Sequence, residues 1–503
     1  MVTHEVRVYP SSFNLPQQEQ LAWKIAAVAA DQAPIDDDVA EMAINRVIDN
    51  AAVAIAAVNR HAVISARDMA LGHLRPGGAT VFGIPGGTRV SPEWAAWANG
   101  AAVRELDFHD TYLAADYAHP GDTIPAILAV GQTMGCTGAQ LVRGIVTAYE
   151  IQIDLCRNIS LHKHKIDHLA HLCPAQVAGI GAMLELPIEI MYQAVQQAVH
   201  VSFTTRQSRK GEISSWKAYA PAHVGKLAVE AIDRAMRGET SPSPIYEGED
   251  SVIAWMLDGP GACYTVALPA HGESKRAILE SYTKQHSAEV QAQAIIDLAF
   301  QMRDSIPSLE QVREIVLHTS YHTHHVIGTG ANDPQKYSPD ASRETLDHSV
   351  MYIFAVALME GRWHHVESYR RERVTDPATV KLWQAIRTVE DPKWTAGYHH
   401  PDPLQRVYGA RAEVILNDGT RIVGELDRPH AHIAGSKPFD RPQYLAKFHS
   451  LTDDLIARAE SDRFLDAAQR LGHLRGGELA GIHISLDEGA LVNSVLKGRP
   501  GIF

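Results

Sequence analysis

Alanine-rich segments separated by Gly and Pro breaks restrict the fold of this sequence more than any other feature. These segments are Glu93–Val103, Pro125–Val130, Leu141–Leu155, Ala175–Leu186 and Leu227–Met236. Alanine has the highest helix propensity, and its small side chain lets neighbouring helices pack closely. Between the segments, pairs such as Pro120-Gly121 mark turns. The first half of the chain is therefore predicted to be a group of packed helices.

The pattern changes after about residue 262, where strand candidates alternate with helical patterns. Val312–His318 predicts one strand. Ala412–Leu416 and Arg421–Leu426 flank Asn417-Asp418-Gly419, and the Asp-Gly pair predicts a hairpin with a type I′ turn. The tail over residues 443–470 returns to a helical pattern. Mixed strands and helices after a helical half are typical of a second, α+β unit.

This order of patterns predicts a mainly α protein with two domains. We expect a large all-helical domain formed by residues 1–261 and 433–503, and a smaller α+β lid domain formed by residues 262–432. A chain that leaves a helical body, builds a second unit and then returns leaves a cleft between the two units. Such clefts between domains are common ligand sites.

Charge and hydropathy argue against several classes of partner. The 46 Lys and Arg residues are outnumbered by 59 Asp and Glu residues, so the formal net charge is −13. Nucleic-acid binders need a basic face, and anionic membranes attract basic segments. The longest apolar run, near Ala51–Val58, is too short to span a bilayer, and the N-terminus has no recognisable secretion signal. We expect no nucleic-acid or membrane partner and a cytoplasmic location.

The sequence motifs of common cofactors and metals are missing. The four cysteines lack the spacing of an iron–sulfur cluster. Gly179-Ile180-Gly181 and Gly328-Thr329-Gly330 lack the third glycine of a dinucleotide-binding loop. The histidine-rich residues 162–173 could hold zinc, be ordinary core and surface histidines, or include one functional histidine. We expect neither cofactor nor metal, which leaves acid–base chemistry by His, Asp, Lys and Tyr.

Titratable residues are densest in the loop over residues 106–122. It contains Asp107 near its start and His119 near its end, directly before Pro120-Gly121. Such a loop can direct a carboxylate and an imidazole towards one small ligand, although a capped helix start with solvated acids would have the same composition. His119 is expected to face solvent, with its orientation fixed by the proline that follows.

Several polar residues later in the chain are further candidates. Lys217 stands among small residues just before an Ala-rich helix, where it could hold a substrate carboxylate or simply extend towards solvent. The segment Lys284–Glu289 and the residues Tyr337 and Arg343 lie in the predicted lid, whose loops are suited to carry function. Taken singly, each of them also fits a structural role.

Residues 106–122, with the sequence LDFHDTYLAADYAHPGD, closely resemble the signature loop of the MmgE/PrpD family. Residues 342–348 (SRETLDH), residues 327–336 (IGTGANDPQK) and the His286-Ser287 pair also resemble family segments. The resemblance covers nearly the whole chain. It implies a homodimer, a large helical domain and a smaller α+β lid. It also implies that a small tricarboxylate of the 2-methylcitrate type loses water, without cofactor or metal, in the cycle that consumes propionyl units.

The resemblance also implies active-site residues, matched position by position. They are Asp107, Thr111, His119, His168, Lys217 and the lid histidine His286. Dehydration needs a base that removes a proton beside a carboxylate and an acid that protonates the leaving hydroxyl. We expect His119 and His168 to fill these two roles, in an order that the sequence leaves open. Asp107 is expected to orient and charge a neighbouring histidine.

Substrate binding is expected to depend on positive charge, because a tricarboxylate carries three carboxylates. Lys217 and Arg343 are the expected cationic partners, and Thr111 and Tyr337 are further expected contacts. Relatives of this fold include a decarboxylase and an epimerase, so the fold alone does not fix the reaction. The alternatives are therefore another lyase or an epimerase acting on a related acid, or a catalytically silent binding protein.

Overall fold

In the computed structural model, helices form most of the first half of the chain, as the Ala-rich segments predict. They are α1 (Leu21–Ala30), α2 (Asp37–Ala56), α3 (His61–Leu71), α4 (Pro92–Glu105), α5 (Ile124–Met134), α6 (Gly138–Asn158), α7 (Leu169–Met183), α8 (Ile188–Ser202), α9 (Trp216–Met236) and α10 (Val252–Met256). Apolar side chains from α1 to α9 form one continuous core. The helices therefore bury a common apolar interior, which stabilises them more than propensity alone would.

The structure describes residues 1–114, 116–400, 402–487, 489–492 and 501–502. Ala115 of the 106–122 loop lies outside the described residues. Residues 488, 493–500 and 503 of the predicted helical domain, and residue 401 of the predicted lid, also lie outside them.

The close packing of α6 against α7 shows why small residues recur in these helices. A methyl group added at Gly144 would lie 2.8 Å from the carbonyl oxygen of Gly179, and one added at Gly179 would lie 2.6 Å from that of Gly144. Both distances are shorter than a carbon–oxygen contact allows, so only glycine permits this approach. The Gly179-Ile180-Gly181 segment is thus a helix contact inside α7, not a cofactor loop.

The second domain contains a four-stranded mixed sheet covered by helices. Its strands are β7 (Val312–Thr319), β8 (Ile386–Glu390), β9 (Ala410–Leu416) and β10 (Arg421–Leu426), in the order β10-β9-β7-β8. Only the β7–β8 pair within this sheet is parallel. Its helices are α11 (Gln293–Arg303), α12 (Tyr321–Val326), α13 (Arg343–Leu346), α14 (Val350–Glu360), α15 (Arg371–Val374), α16 (Pro377–Gln384) and α17 (Pro392–Tyr398). The mainly α fold with a smaller α+β domain is confirmed.

The hairpin between β9 and β10 is confirmed, but its predicted turn type is wrong. The amide of Gly419 donates to the Leu416 carbonyl at 3.0 Å, and the amide of Leu416 donates to the Thr420 carbonyl at 2.9 Å. Gly419 has a φ of +88°, whereas Asp418 is not among the described non-glycine residues with positive φ. A type I′ turn needs positive φ at two positions, so this loop has three residues and closes with a glycine bulge.

The packing around residue 262 differs from the predicted start of the lid. Strand β5 (Cys263–Leu268) pairs antiparallel with β1 (Val2–Arg7), and its Val266 and Leu268 belong to the larger core. The larger domain is therefore mainly helical and not all-helical, because the two chain segments complete each other's backbone hydrogen bonds. In the tail, α18 (Arg441–Thr452) and α19 (Arg458–Gln469) also pack into the larger core.

Three short strands join the two domains. Strand β3 (Asp110–Leu113) pairs with β4 (Tyr117–Ala118) and, on its other side, with β6 (Tyr282–Thr283). The remaining strand, β2 (Leu74–Ala79), lies between α3 and α4. The β3–β6 pairing places the segment after residue 283 directly beside the 106–122 loop.

No single helix among the described residues is long and apolar enough to cross a bilayer. Only α2 and α3 taken together, bent by 101° at their junction, meet the length and composition criteria as a pair.

Candidate active site

The carboxylate of Asp107 is surrounded by three cations at the junction of the two domains. Asp107 follows α4 with a φ of +50°, which turns its side chain away from the helix axis. Its oxygens lie 3.2 Å from Nη1 of Arg104 and 3.1 Å from Nζ of Lys217, and Lys284 forms a third ion pair. Burial raises the pKa of Asp107, but these cations outweigh burial and hold it well below its usual value. Asp107 is therefore ionised.

Asp347 is a second buried carboxylate on the opposite side of Lys217. Its two oxygens lie 2.9 and 2.8 Å from Nζ of Lys217, and Oδ2 lies 3.1 Å from Nη1 of Arg343. Its other contact is Nδ1 of His348. Burial and Lys217 lower the pKa of His348 to about 3, so this imidazole is neutral. Lys217 thus links an acid of the helical domain to an acid of the lid.

Asp107, Asp347 and His348 have ligand atoms close enough together to hold a metal ion. The ammonium of Lys217, however, lies within 3.1 Å of both carboxylates. Carboxylates are the ligands that hard metal ions prefer. Here, however, the lysine cation already supplies the positive charge that a metal ion would bring. The donor set therefore suits a lysine clamp better than a metal centre.

His119 lies between β4 and the short 3₁₀ turn Pro120–Thr123. Its Nδ1 is 3.0 Å from the carbonyl oxygen of Asp110. A carbonyl only accepts hydrogen bonds, so Nδ1 carries the proton and Nε2 keeps its lone pair. Burial, together with Arg104 and Lys284, holds the pKa of His119 well below its usual value. The ring is thus a neutral imidazole whose Nε2 has a free lone pair.

The expectation that His119 faces solvent is wrong, because only 3% of the residue is exposed. Strand β3 and the 106–122 loop fold over it, and Asp110, whose carbonyl it contacts, is itself completely buried. The proline that follows His119 begins the 3₁₀ turn, as the sequence suggests. Because the ring is buried, a substitution that tests its role must preserve the packing around it.

His168 caps the start of α7 and lies between two carboxylates. Its Nδ1 is 2.7 Å from Oδ1 of Asp167, and its Nε2 is 3.6 Å from Oδ2 of Asp122. The contact with Asp167 is a hydrogen bond, whereas the distance to Asp122 is too long for one. The rings of His168 and His119 lie 5.6 Å apart, nearly perpendicular to each other. The two imidazoles can therefore face one small ligand from different sides.

Asp122 also contacts His109, a residue that sequence analysis assigned no role. Its Oδ1 lies 3.0 Å from Nε2 of His109, which is completely buried. Burial raises the pKa of Asp122, but His109 and Arg104 outweigh burial and hold the pKa well below its usual value. The carboxyl is therefore ionised. One carboxylate thus lies between two histidines, His109 and His168.

The loop backbone is held in place by Asp110. Its side chain accepts hydrogen bonds from the Tyr149 hydroxyl at 2.6 Å and the Gly121 amide at 2.7 Å. A methyl group at Gly121 would lie 2.7 Å from Oδ1 of Asp110, so a larger residue would displace this contact. Thr111 also has a structural contact, because its hydroxyl donates to the Ala118 carbonyl at 3.2 Å.

Two predicted site residues are directed into other surroundings. The Nε2 of His286 lies 2.9 Å from Oδ1 of Asp297 on α11, and its ring packs edge-on against Phe300. The hydroxyl of Tyr337 donates to the Ile386 carbonyl at 2.7 Å. The structure therefore brings Asp107, His119, His168, Lys217 and Arg343 to one place, and pairs His286 and Tyr337 with residues of the lid.

Several residues of the site were not assigned by sequence reasoning. They are Arg104, His109, Asp122, Lys284, Asp347 and His348. Asp347 and His348 belong to the SRETLDH segment, and Lys284 precedes His286 by two residues, so both segments already carried a signal. Arg104 lies inside an Ala-rich helix, where a single arginine usually extends to solvent, and only its burial reveals it.

Comparisons with known proteins identify relatives of this chain. A family model described as the MmgE/PrpD N-terminal domain matches residues 19–264, and one described as the MmgE/PrpD C-terminal domain matches residues 286–473. A Salmonella typhimurium protein named 2-methylcitrate dehydratase is 26% identical over 423 residues, which cover 79% of this chain and 83% of that protein.

Two fungal proteins show similar levels of identity. The mitochondrial 2-methylcitrate dehydratase of Yarrowia lipolytica is 25% identical over 373 residues, 68% of each chain. Alkylcitrate dehydratase phiI of Talaromyces stipitatus is 24% identical over 423 residues, 78% of this chain and 84% of that protein. Because both family models match, and the buried cluster draws Asp107 from the first matched region and Asp347 from the second, this chain belongs to the MmgE/PrpD family.

Proposed function

We propose that this protein is a 2-methylcitrate dehydratase, a hydro-lyase that removes water from 2-methylcitrate to give 2-methyl-cis-aconitate. The relatives named 2-methylcitrate dehydratase support the reaction, at about 25% identity. The single observation that carries the proposal is the state of His119. Its Nδ1 faces a carbonyl and its pKa is held low, so Nε2 is available as a base.

In the proposed reaction, Nε2 of His119 removes a proton from a carbon that carries a carboxylate. The carbon–hydrogen electron pair becomes the new carbon–carbon double bond, and the hydroxyl leaves from the adjacent carbon. The neutral ring has a free lone pair near pH 7, which a base in this step requires. Arg104 and Lys284 keep the ring unprotonated before substrate binds, and the carboxylates of the bound substrate then offset their charge so that the ring can take up the proton.

His168 is the proposed general acid. Asp167 holds its Nδ1, and its Nε2 makes no hydrogen bond to a described residue, so a proton on Nε2 can pass to the leaving hydroxyl, which departs as water. The two rings lie 5.6 Å apart, so the proposal has His119 and His168 act on one small ligand. The proposal thus takes His119 as the base and His168 as the acid, an order that the sequence leaves open.

The charge cluster favours an anionic substrate. Its cations are Arg104, Lys217, Lys284 and Arg343, and its carboxylates are Asp107, Asp122 and Asp347. Four cations in contact with three carboxylates leave one excess positive charge. As the proton is removed, negative charge develops on the adjacent carboxylate, and buried cations placed in advance lower the barrier to this step.

The test is a product assay on the purified protein with 2-methylcitrate. We expect the ultraviolet absorbance of a conjugated enoate to rise without release of carbon dioxide. A His168→Gln variant should lose most of this activity, whereas His200→Gln, which changes an exposed histidine on α8, should retain it. Carbon dioxide release would instead identify a decarboxylase, and no turnover of 2-methylcitrate, citrate or longer alkylcitrates would contradict the proposal.

A further inference from the structure

A cleft opens between the helical domain and the lid, beside the charge cluster. Its volume is about 510 Å³. One wall comes from residues 162–166 and 205–210 of the helical domain, and the other from residues 321–336 of the lid. Lys210 bridges the walls through its Nζ, which donates to the Ala331 carbonyl at 3.3 Å, and the Gly211 amide donates to Asp333 at 3.1 Å. The cleft is therefore built from both domains.

The lining of this cleft is strongly cationic in a chain whose net charge is −13. Lys165, Arg206 and Lys210 all line it, and none of them lies within 4.0 Å of a carboxylate in the described part of the chain. Lys336 is buried there, with its Nζ 3.9 Å from Asp333, the one lining carboxylate among the described residues. Unpaired cations around one opening attract a ligand with several negative groups.

Arg206 contacts two neighbouring rings, and neither ring neutralises its charge. The guanidinium of Arg206 lies over the ring of Tyr117, 5.2 Å from its centroid, and contacts His162. Burial and Arg206 lower the pKa of His162 to about 2, so the imidazole is neutral and does not add to the charge. Arg206 is half-buried, which reduces the solvent screening of its charge.

The floor of the cleft connects directly to the proposed catalytic residues. Arg209 lines the cleft, and its Nε lies 3.3 Å from Oδ2 of Asp167, whose Oδ1 contacts His168. The Nη1 of Arg209 also donates to the Lys217 carbonyl at 3.3 Å. Asp167 thus links Arg209 to His168, and Arg209 also contacts the backbone of Lys217.

We propose that this cleft is a docking subsite for a small polycarboxylate, in which Lys165, Arg206 and Lys210 hold carboxylates that do not take part in bond breaking. The inference rests on the proposed function, because it assigns the cleft to the substrate of the same site. With one carboxylate at the reacting carbon, a tricarboxylate has two carboxylates left for these three cations, whereas a dicarboxylate has only one. The subsite therefore sets specificity for the number of carboxylates.

Propane-1,2,3-tricarboxylate is a suitable probe, because it has three carboxylates but no hydroxyl to eliminate. Its binding can be measured by isothermal titration calorimetry without turnover. We expect Arg206→Gln and Lys210→Gln each to weaken its binding by roughly 10-fold, the usual effect of losing one charged hydrogen bond in a partly exposed site. KM for 2-methylcitrate should rise by a similar factor while kcat changes little.

Lys163→Gln is the matched control. Lys163 belongs to the same segment but is exposed, pairs with Asp258 and does not line the cleft, so its variant should bind the probe like the wild type. Glutarate, a dicarboxylate, should bind more weakly than the probe and be less affected by either cleft substitution.

Wild-type affinity of the probe in both cleft variants would overturn the proposal. Binding of pyrophosphate in preference to the tricarboxylate would also overturn it, by assigning the cleft to a phosphate ligand. If the probe binds in an Arg206-dependent manner but 2-methylcitrate is not dehydrated, the proposed reaction fails while the subsite stands. These outcomes separate the two proposals.

Discussion

Replacing His119 by glutamine tests the proposed base while preserving the packing around it. The residue is 3% exposed, and its Nδ1 contacts the Asp110 carbonyl. Glutamine has a similar length, and its amide can donate a hydrogen bond to the same carbonyl, but it cannot accept a proton at neutral pH. His119→Ala differs, because it removes a buried ring and leaves that carbonyl without its side-chain donor.

The two variants should therefore separate rate from stability. Loss of a positioned base typically lowers kcat by about 10²–10⁴-fold, which corresponds to about 3–5 kcal/mol of activation free energy. We expect this loss in both variants. Truncating a buried side chain costs about 2–4 kcal/mol of unfolding free energy, so His119→Ala should also be clearly destabilised. His119→Gln should stay within about 1 kcal/mol of the wild type, because volume and hydrogen bond are retained.

The measurements are kcat by enoate absorbance and the free energy of unfolding by urea denaturation, on the same preparations. His200→Gln controls for the loss of a histidine that is exposed on α8. Near-normal kcat in a folded His119→Gln protein would refute the assignment of His119 as the base. Equal destabilisation of the two variants would show that the ring's role in packing was misjudged.

Three further predictions concern the charge cluster. Lys284→Met removes a cation that disfavours protonation of His119, so the pKa of His119 should rise. The acidic limb of the pH profile of kcat/KM should then move to higher pH by about one unit. An unchanged pH profile would argue against this coupling. Lys217→Ala leaves Asp107 and Asp347 without their shared cation, so urea denaturation should show a loss of about 3–5 kcal/mol, and Lys217→Arg should restore only part of the stability and of KM. Prolonged dialysis against a strong chelator should leave the rate unchanged, because Lys217 supplies the cation; activity restored by added zinc or iron would contradict this.

Local sequence was sufficient for the features that a contiguous segment decides. Ala-rich segments predicted the helices, and Asp-Gly between two apolar runs predicted the β9–β10 hairpin, because propensity and turn chemistry act over a few residues. The 106–122 loop was recognisable for the same reason, and with it Asp107 and His119. Local sequence did not predict the turn type of the β9–β10 hairpin, because the glycine bulge depends on how the two strands align.

The tertiary structure alone decided which charges meet and which are buried. Lys284 reaches Asp107 because β6 pairs with β3, and Asp347 reaches Lys217 across the domain junction, 130 positions away in sequence. The same packing buries His119 and directs His286 towards Asp297. The tautomer of His119 follows from its contact with the Asp110 carbonyl, and its low pKa follows from burial and from the cations Arg104 and Lys284. Residue identity limits which proton transfers are possible, but only folding sets the distances and the solvent exclusion on which charge interactions depend.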